Sequence, residues 1–445
     1  MRDLLMLGVM LAWVPMAFMN SFIAFLLWLY TTLVSPSLYL YGFMQGFRYA
    51  FLFAGLTLFL LMARKVKDRG KFVWDATSVL MIIFFCHAML SAALSLQPNP
   101  SVVIRVEDFL KSAPLALVLP FFLTSRWRIH ATLLILVLGL GFHGVVDGLK
   151  VIASGGGHNI HGIGTASLND NNLYAVGMVM LLPIYLYLIK YSSNKWVRIA
   201  LIGGFLLTIM TVLGSNSRGG FLALAVVGFW YWVTSRRKFA SMLLVLVLSF
   251  GIVQVAPDRW FDRISTIKTA TEDTSFMNRV AAWRINLSVA TTHPVFGGGF
   301  EAALNSWVWN EHKYKPSPIN IEMDLYTPKV AHSIYFQVLG DLGFVGLFWY
   351  LLLLFNAFWT RYKAQLLAKQ LAGEWQWAAD LSTATVLSLV AFMIGGAGVS
   401  LAYYELVFVL IMLVAVVYRQ LQQAIAAKVG AQVSLSRRPE AGVTT

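Results

Sequence analysis

The sequence predicts an all-α polytopic membrane protein of about twelve transmembrane helices with one large, partly helical loop on the outer side. Three observations carry this. The chain is 58% hydrophobic and only 12% charged. Apolar runs close to the roughly 20 residues that cross a hydrocarbon core as a helix recur along nearly its whole length. Most of the Lys and Arg gather in alternate short loops, the positive-inside pattern.

Spans are expected near 4–34, 42–62, 75–95, 109–124, 130–152, 173–190, 199–214, 219–234, 239–256, 334–357, 380–398 and 402–420. The first is over-long and interrupted by Pro15 and Asn20, so a kinked helix or two half-helices is expected there, and the count runs from eleven to thirteen. It is also too long for a signal peptide and lacks an A-x-A-like site, so it is read as retained. The basic loops then place both termini on the cytoplasmic side. Four regions follow: 1–256 with helices one to nine, a large outer loop at 257–333, helices ten to twelve at 334–420, and a basic cytoplasmic tail at 421–445.

The net charge of +14 sits largely in loops between spans, so it speaks for orientation and membrane lipids, with no nucleic-acid partner. The single cysteine, Cys86, allows no intramolecular disulfide and no thiol cluster for zinc, and it reads as core filler. A nucleotide-binding glycine signature, H-E-x-x-H and a paired-aspartate metal motif are all missing from the loop, so neither a metal nor a cofactor is expected. Transporters place ionisable groups at mid-bilayer and show internal repeats; here charges sit at span ends and in loops, and no repeat is visible.

Candidate residues cluster where spans begin on the outer side. Ser217-Arg218-Gly219-Gly220 opens span eight, where good N-cap residues precede a positive helix end, and Arg218 adds a planar fork suited to phosphate; Asn216 stands beside it as support. Within the loop, 277–291 reads as a helix with Arg279 and Trp283 one turn apart on one face and Arg284 pointing elsewhere. Arg279 is a candidate phosphate clamp, Trp283 a packing residue, and Arg284 a rival for the clamp. His293-Pro294 and Gly297-Gly298-Gly299 read as turns. Ala331-His332-Ser333 immediately precedes span ten, whose positive dipole end favours a neutral imidazole able to take a proton from a hydroxyl. Arg48, near the outer end of span two, is either a ligand or an interfacial snorkelling residue. Asp147 and Lys150 are expected to pair, Arg105 to join Glu107 and Asp108 in a solvated loop, Glu405 to cap span twelve, and Asn169 to Asn172 to cap span six.

Taken in order, Ser217-Arg218-Gly219-Gly220-Phe221-Leu222-Ala223, Arg279-x-x-x-Trp283, His293-Pro294 with its glycine run, Ala331-His332-Ser333 and Leu339-Gly340-Asp341-Leu342-Gly343-Phe344-Val345-Gly346-Leu347 resemble the O-antigen ligase and polymerase superfamily. The resemblance covers roughly 155–420, and the first 150 residues look like the N-terminal region of exosortase-associated O-glycosylation ligases. It implies a GT-C-like enzyme of the bacterial inner membrane that moves a glycan from an undecaprenyl-pyrophosphate-linked donor to a hydroxyl on the periplasmic side. For a ligase the acceptor is lipid A-core. It further implies His332 as catalytic base, and Arg218, Arg279 or Arg284, and Arg48 around the pyrophosphate, with Trp283, Ser333 and Asn216 in support. Polymerases commonly place arginines in two large outer loops, and the single large loop here favours a ligase. A polymerase and a protein O-oligosaccharyltransferase are the alternatives, with a lipid or glycan transporter more remote.

Overall fold

The computed structural model describes all residues except 64, 66–68, 98–99, 165–166, 235–273, 320–326, 372 and 437–445. The expected span 239–256 and the first part of the loop, 257–273, lie outside the described residues. Among those described, every regular element is helical: α1 (Arg2–Met19), α2 (Ser21–Val34), α3 (Tyr49–Met62), α4 (Ala76–Ala93), α5 (Pro100–Phe122), α6 (Arg126–Ala153), α7 (Asn171–Tyr191), α8 (Lys195–Gly214), α9 (Arg218–Thr234), α10 (Thr274–Thr292), α11 (Ser306–His312), α12 (Ile334–Gln370), α13 (Gln376–Gly396) and α14 (Glu405–Ser436). Eight of them, α1, α4, α6, α7, α8, α12, α13 and α14, are long and apolar enough to cross a membrane, and α2 and α3 are shorter apolar helices. This is an all-α polytopic membrane protein. Helix α13 lies at its centre, packed on α7, α9, α12 and α14.

The first apolar stretch is a helical hairpin. Asn20 alone separates α1 from α2, and its side chain caps α2 by accepting the Phe22 N–H at 3.0 Å. Trp13 and Tyr30 then meet edge to face at 5.8 Å, whereas one straight helix would hold them about 25 Å apart. Pro15 remains inside α1 without ending it. At the hairpin turn Phe22 packs on Trp127, beside the α5–α6 junction. At the open end Asp3 accepts the N–H groups of Gly42 and Met44.

That geometry corrects the expectation that both termini share a face. The chain start lies with the 42–48 segment, whereas the last turns of α14 lie at the opposite end of the bundle. There Arg419 donates to Asp75 at 2.6 Å and Gln420 to the Leu123 carbonyl at 2.8 Å. Of the two alternatives expected for 4–34, a kink or two half-helices, the structure has two helices. Two smaller expectations also fail. Arg105 sits in α5, which already begins at Pro100, and donates to Glu301 at 2.7 Å, tying that helix to the loop. Cys86 is exposed on the surface of α4; it is the neighbouring His87 that turns inward.

The loop is latched to the membrane helices at a break in α12. Gly343 has φ 73° and ψ −175°, which interrupts the helix and frees carbonyls one turn earlier. Those of Gly340 and Asp341 accept the N–H groups of Gly298 and Gly299, each at 2.9 Å, while Phe344 donates to the Pro294 carbonyl at 2.8 Å. The Gly297 to Gly299 run is required by backbone approach: a Cβ on Gly297 would lie 2.5 Å from the Gly343 nitrogen. From α4, Ser91 donates toward the Phe296 and Asp341 carbonyls, and His87 Nε2 meets the Leu342 carbonyl at 3.0 Å. Buried Asp341 completes the latch by accepting from the Glu301 N–H and the Tyr403 hydroxyl.

Candidate functional site

His332 enters α12 in the left-handed region, φ 47°, a conformation that a non-glycine residue adopts only when its surroundings hold it there. The hold comes from Ser400, whose Oγ accepts the His332 N–H at 2.8 Å. Ser400 belongs to the 397–404 turn between α13 and α14, itself fixed where Gln337 accepts the Ala402 N–H at 3.0 Å. Ser333 occupies the N-cap of α12 without a side-chain cap bond, and its carbonyl accepts from Gln337. Burial lowers the pKa of the His332 imidazole below its ordinary value, Arg279 and Lys329 press in the same direction, and Asp170 opposes them. The ring is therefore neutral at neutral pH, with a nitrogen lone pair available for a proton.

Arg279 acts on this imidazole through its charge, from α10. Its guanidinium lies over Gly398, where an added Cβ would be 3.5 Å from Nη1. One turn on, Trp283 stacks on Phe336 of α12 with centroids 5.1 Å apart and planes 7° from parallel, which fixes the rotation of α10. Trp283 is thus the packing residue the helical spacing predicts. Arg284 turns away from the His332 site. It donates to the Ile319 carbonyl at 3.1 Å, to that of Lys315 at 3.2 Å and to that of Lys313, so its fork organises the 313–319 chain. Of the two arginines, Arg279 is thus the one whose charge acts on His332, and the Arg284 fork is taken up by backbone carbonyls.

Arg218 is the first residue of α9 and is exposed. Ser217 caps that helix by accepting the Gly220 N–H at 3.1 Å, and Asn216 makes the preceding turn at φ 54°. Gly219 faces the Gly395 carbonyl, and Gly220 is in close contact with Ala175, so both glycines serve helix packing. Asn171 donates to the Ser215 carbonyl at 2.8 Å, which fastens this turn to the head of α7. Asp170 caps α7 through the Asn172 and Leu173 N–H groups, as expected for that cluster. Residues 395–400 therefore form a common floor: Gly395 under α9, Gly398 under Arg279, Ser400 under His332. The heads of α7, α9, α12 and α14 all open on this face, and their dipoles favour an anion there.

Arg48 is not part of this cluster. It heads α3, lies 4.0 Å from Glu107, and lines a separate cavity that also contains Glu405. Arg48 therefore lies away from His332 and Arg279, beside Glu107 and in the same cavity as Glu405. Asp147 pairs with Lys150 at 3.0 Å as the spacing suggests, and His158 joins them at 3.4 Å. Sequence reasoning missed Ser400 and Gly398, although a run of small residues between two spans was visible, and it missed that Asp170 faces His332.

Residues 203–351 match a family model described as O-Antigen ligase, a stretch that contains Arg218, Arg279, Arg284 and His332. Residues 1–193 match a family of unknown function, DUF5935. No curated protein matches the chain significantly.

Proposed function

The central segment of this chain, residues 203–351, belongs to the O-antigen ligase and polymerase superfamily, and from that premise we propose that the protein is an O-antigen ligase of the bacterial inner membrane. It transfers a glycan from undecaprenyl pyrophosphate to a sugar hydroxyl of lipid A-core. The observation that carries the proposal is His332 itself, its backbone held in the left-handed region and its imidazole kept neutral by burial and by Arg279, where four helix N-termini converge.

In the reaction, His332 takes the proton of the acceptor hydroxyl as that oxygen attacks the anomeric carbon. The bond from this carbon to the pyrophosphate oxygen breaks, and undecaprenyl pyrophosphate leaves with the electron pair. Arg279 and Arg218, with the head of α9, stabilise the charge that grows on the leaving group. Pyrophosphate so clamped leaves readily without a divalent cation. The proton on His332 then passes to solvent. A single displacement inverts the anomeric configuration, and a product of retained configuration contradicts it.

Orientation follows from charge. Lys65, Arg69, Lys71, Arg126, Arg128, Lys195, Arg198 and Lys369 all flank helix ends opposite His332, a positive-inside pattern that supports the reading of His332 as periplasmic.

The test is deletion of the gene followed by analysis of lipopolysaccharide and lipid-linked intermediates. Long glycan stranded on undecaprenyl pyrophosphate with bare core supports the ligase. Core capped by one repeat indicates a polymerase, unglycosylated secreted protein with normal lipopolysaccharide a protein transferase, and an intermediate held on the cytoplasmic face a transporter; each overturns the proposal.

A further inference from the structure

Beside the His332 site, and outside the segment matched to the ligase family, lies a cavity of about 400 Å³ between the end of α2, the head of α3 and α5. That volume falls within the roughly 300–1,000 Å³ typical of small-molecule sites. Arg48, Glu107 and Glu405 line it, together with the hydroxyls of Ser35, Ser112 and Ser167. The Arg48–Glu107 pair is loose, 4.0 Å apart, with side chains 70% and 45% exposed, so its atoms remain accessible to a ligand. Glu405 accepts from Ser167 at a long 3.4 Å. Aromatic rings stand at the same place: the Arg48 guanidinium lies 5.4 Å from the centre of the Phe51 ring, and Phe47 meets Tyr49 edge to face at 5.0 Å.

We infer that this cavity is a saccharide subsite, an inference that rests on the proposed glycan transfer. Carboxylates accept from neighbouring hydroxyl pairs, a guanidinium and serine hydroxyls supply donors, and aromatic faces pack on sugar C–H groups. Among the described residues the lining carries one guanidinium and two carboxylates, which suits a neutral or amino sugar better than a pyrophosphate. The position is equally specific. Glu405 directly follows the Ser400–Tyr404 turn that holds His332, and Ser167 lies three residues before Asp170, so two of the chain segments that line the cavity run on to the His332 site. A glycan whose reacting sugar sits at His332 has this cavity beside it for the next residues. The role of the N-terminal region would then be to grip glycan, leaving the pyrophosphate to the ligase segment.

The experiment measures binding calorimetrically to the full chain in lipid nanodiscs. The probes are core oligosaccharide freed of lipid A, glycan released from the lipid donor, and inorganic pyrophosphate. One of the two saccharides is expected to bind, and its identity tells whether acceptor or donor glycan occupies the cavity. Glu107→Gln and Arg48→Gln, on different helices, each weaken that binding about tenfold, as loss of one charge-assisted hydrogen bond predicts. Neither change affects pyrophosphate, and Arg279→Ala does the reverse. The inference is overturned if neither saccharide binds, or if the cavity variants leave saccharide binding intact. Saccharide binding with this pattern in a protein that transfers no glycan would sink the proposed reaction and leave the subsite standing.

Discussion

Gly343→Ala is the sharpest perturbation of the latch between loop and membrane helices. At φ 73° and ψ −175° the residue occupies a region that is essentially reserved for glycine, so an alanine there costs about 1–3 kcal/mol in backbone strain. The added Cβ would also sit 2.6 Å from the Pro294 carbonyl oxygen and 2.9 Å from the Gly297 nitrogen, both rigid backbone atoms. Relief requires the 294–299 turn to move, sacrificing hydrogen bonds such as Phe344 N–H to Pro294 at 2.8 Å, at about 1 kcal/mol each. The total, roughly 2–5 kcal/mol, is a large part of a typical domain stability of about 5–15 kcal/mol. It is enough to detach the loop while the helices remain in lipid. The assay is a time course of limited trypsin digestion in detergent, with cleavage read at Lys313 and Lys329, since Pro316 protects the bond after Lys315. Gly8→Ala, whose Cβ would meet nothing within 4 Å, is the control. Faster cleavage confined to the Gly343 variant is expected. Equal protection of the two variants would refute the latch.

Three further outcomes follow from the same structure. Arg279→Ala should lower kcat by about 10²–10³, the cost of removing one donor to developing negative charge, with the melting temperature unchanged. Arg284→Ala should instead destabilise the loop by about 2–4 kcal/mol through lost bonds to carbonyls, and keep its turnover per folded molecule. The opposite pairing would reverse the assignment of the two arginines. In the pH profile of kcat/KM, the base must be neutral, so activity rises with pH through the His332 pKa, and its acid limb lies below 6.5. Arg279→Ala moves that limb upward and Asp170→Asn moves it further down, because the first charge lowers the pKa and the second raises it; shifts of the same sign would count against the cluster. Finally, in a Cys86→Ser background, Arg2→Cys and Lys329→Cys should react with a membrane-impermeant maleimide from one side, and Lys428→Cys from the other. Labelling of Arg2→Cys together with Lys428→Cys would rule out the N-terminal hairpin.

The helical class was legible because a bilayer demands long apolar runs, and those runs are local in sequence. On α10 the 3.6-residue period put Arg279 and Trp283 on one face and turned Arg284 off it, but it left open which arginine serves the site until the fold set Arg284 on the 313–319 carbonyls. The N-terminal hairpin was not. Asn20 is a single uncharged residue, and nothing local distinguishes a kink from a full reversal until Trp13 meets Tyr30. The surroundings of His332 were equally hidden, since Asp170, Arg279 and Ser400 arrive from three distant helix ends and no spacing links them. An arginine at a span end suits phosphate in isolation, and the neighbours of Arg48 were hidden because Glu107 and Glu405 reach the same cavity only through the fold. Asp341, quoted within a glycine-rich motif, had no assigned role before the kink at Gly343 showed what it secures.

The central claim is that His332 removes the acceptor proton. The most direct measurement is single-turnover transfer by the His332→Gln variant, with defined undecaprenyl-pyrophosphate-linked glycan and lipid A-core, alongside donor binding. Loss of a general base predicts a fall of about 10²–10⁴ in the rate, with donor affinity and melting temperature unchanged. A variant that transfers glycan at the wild-type rate would contradict the account.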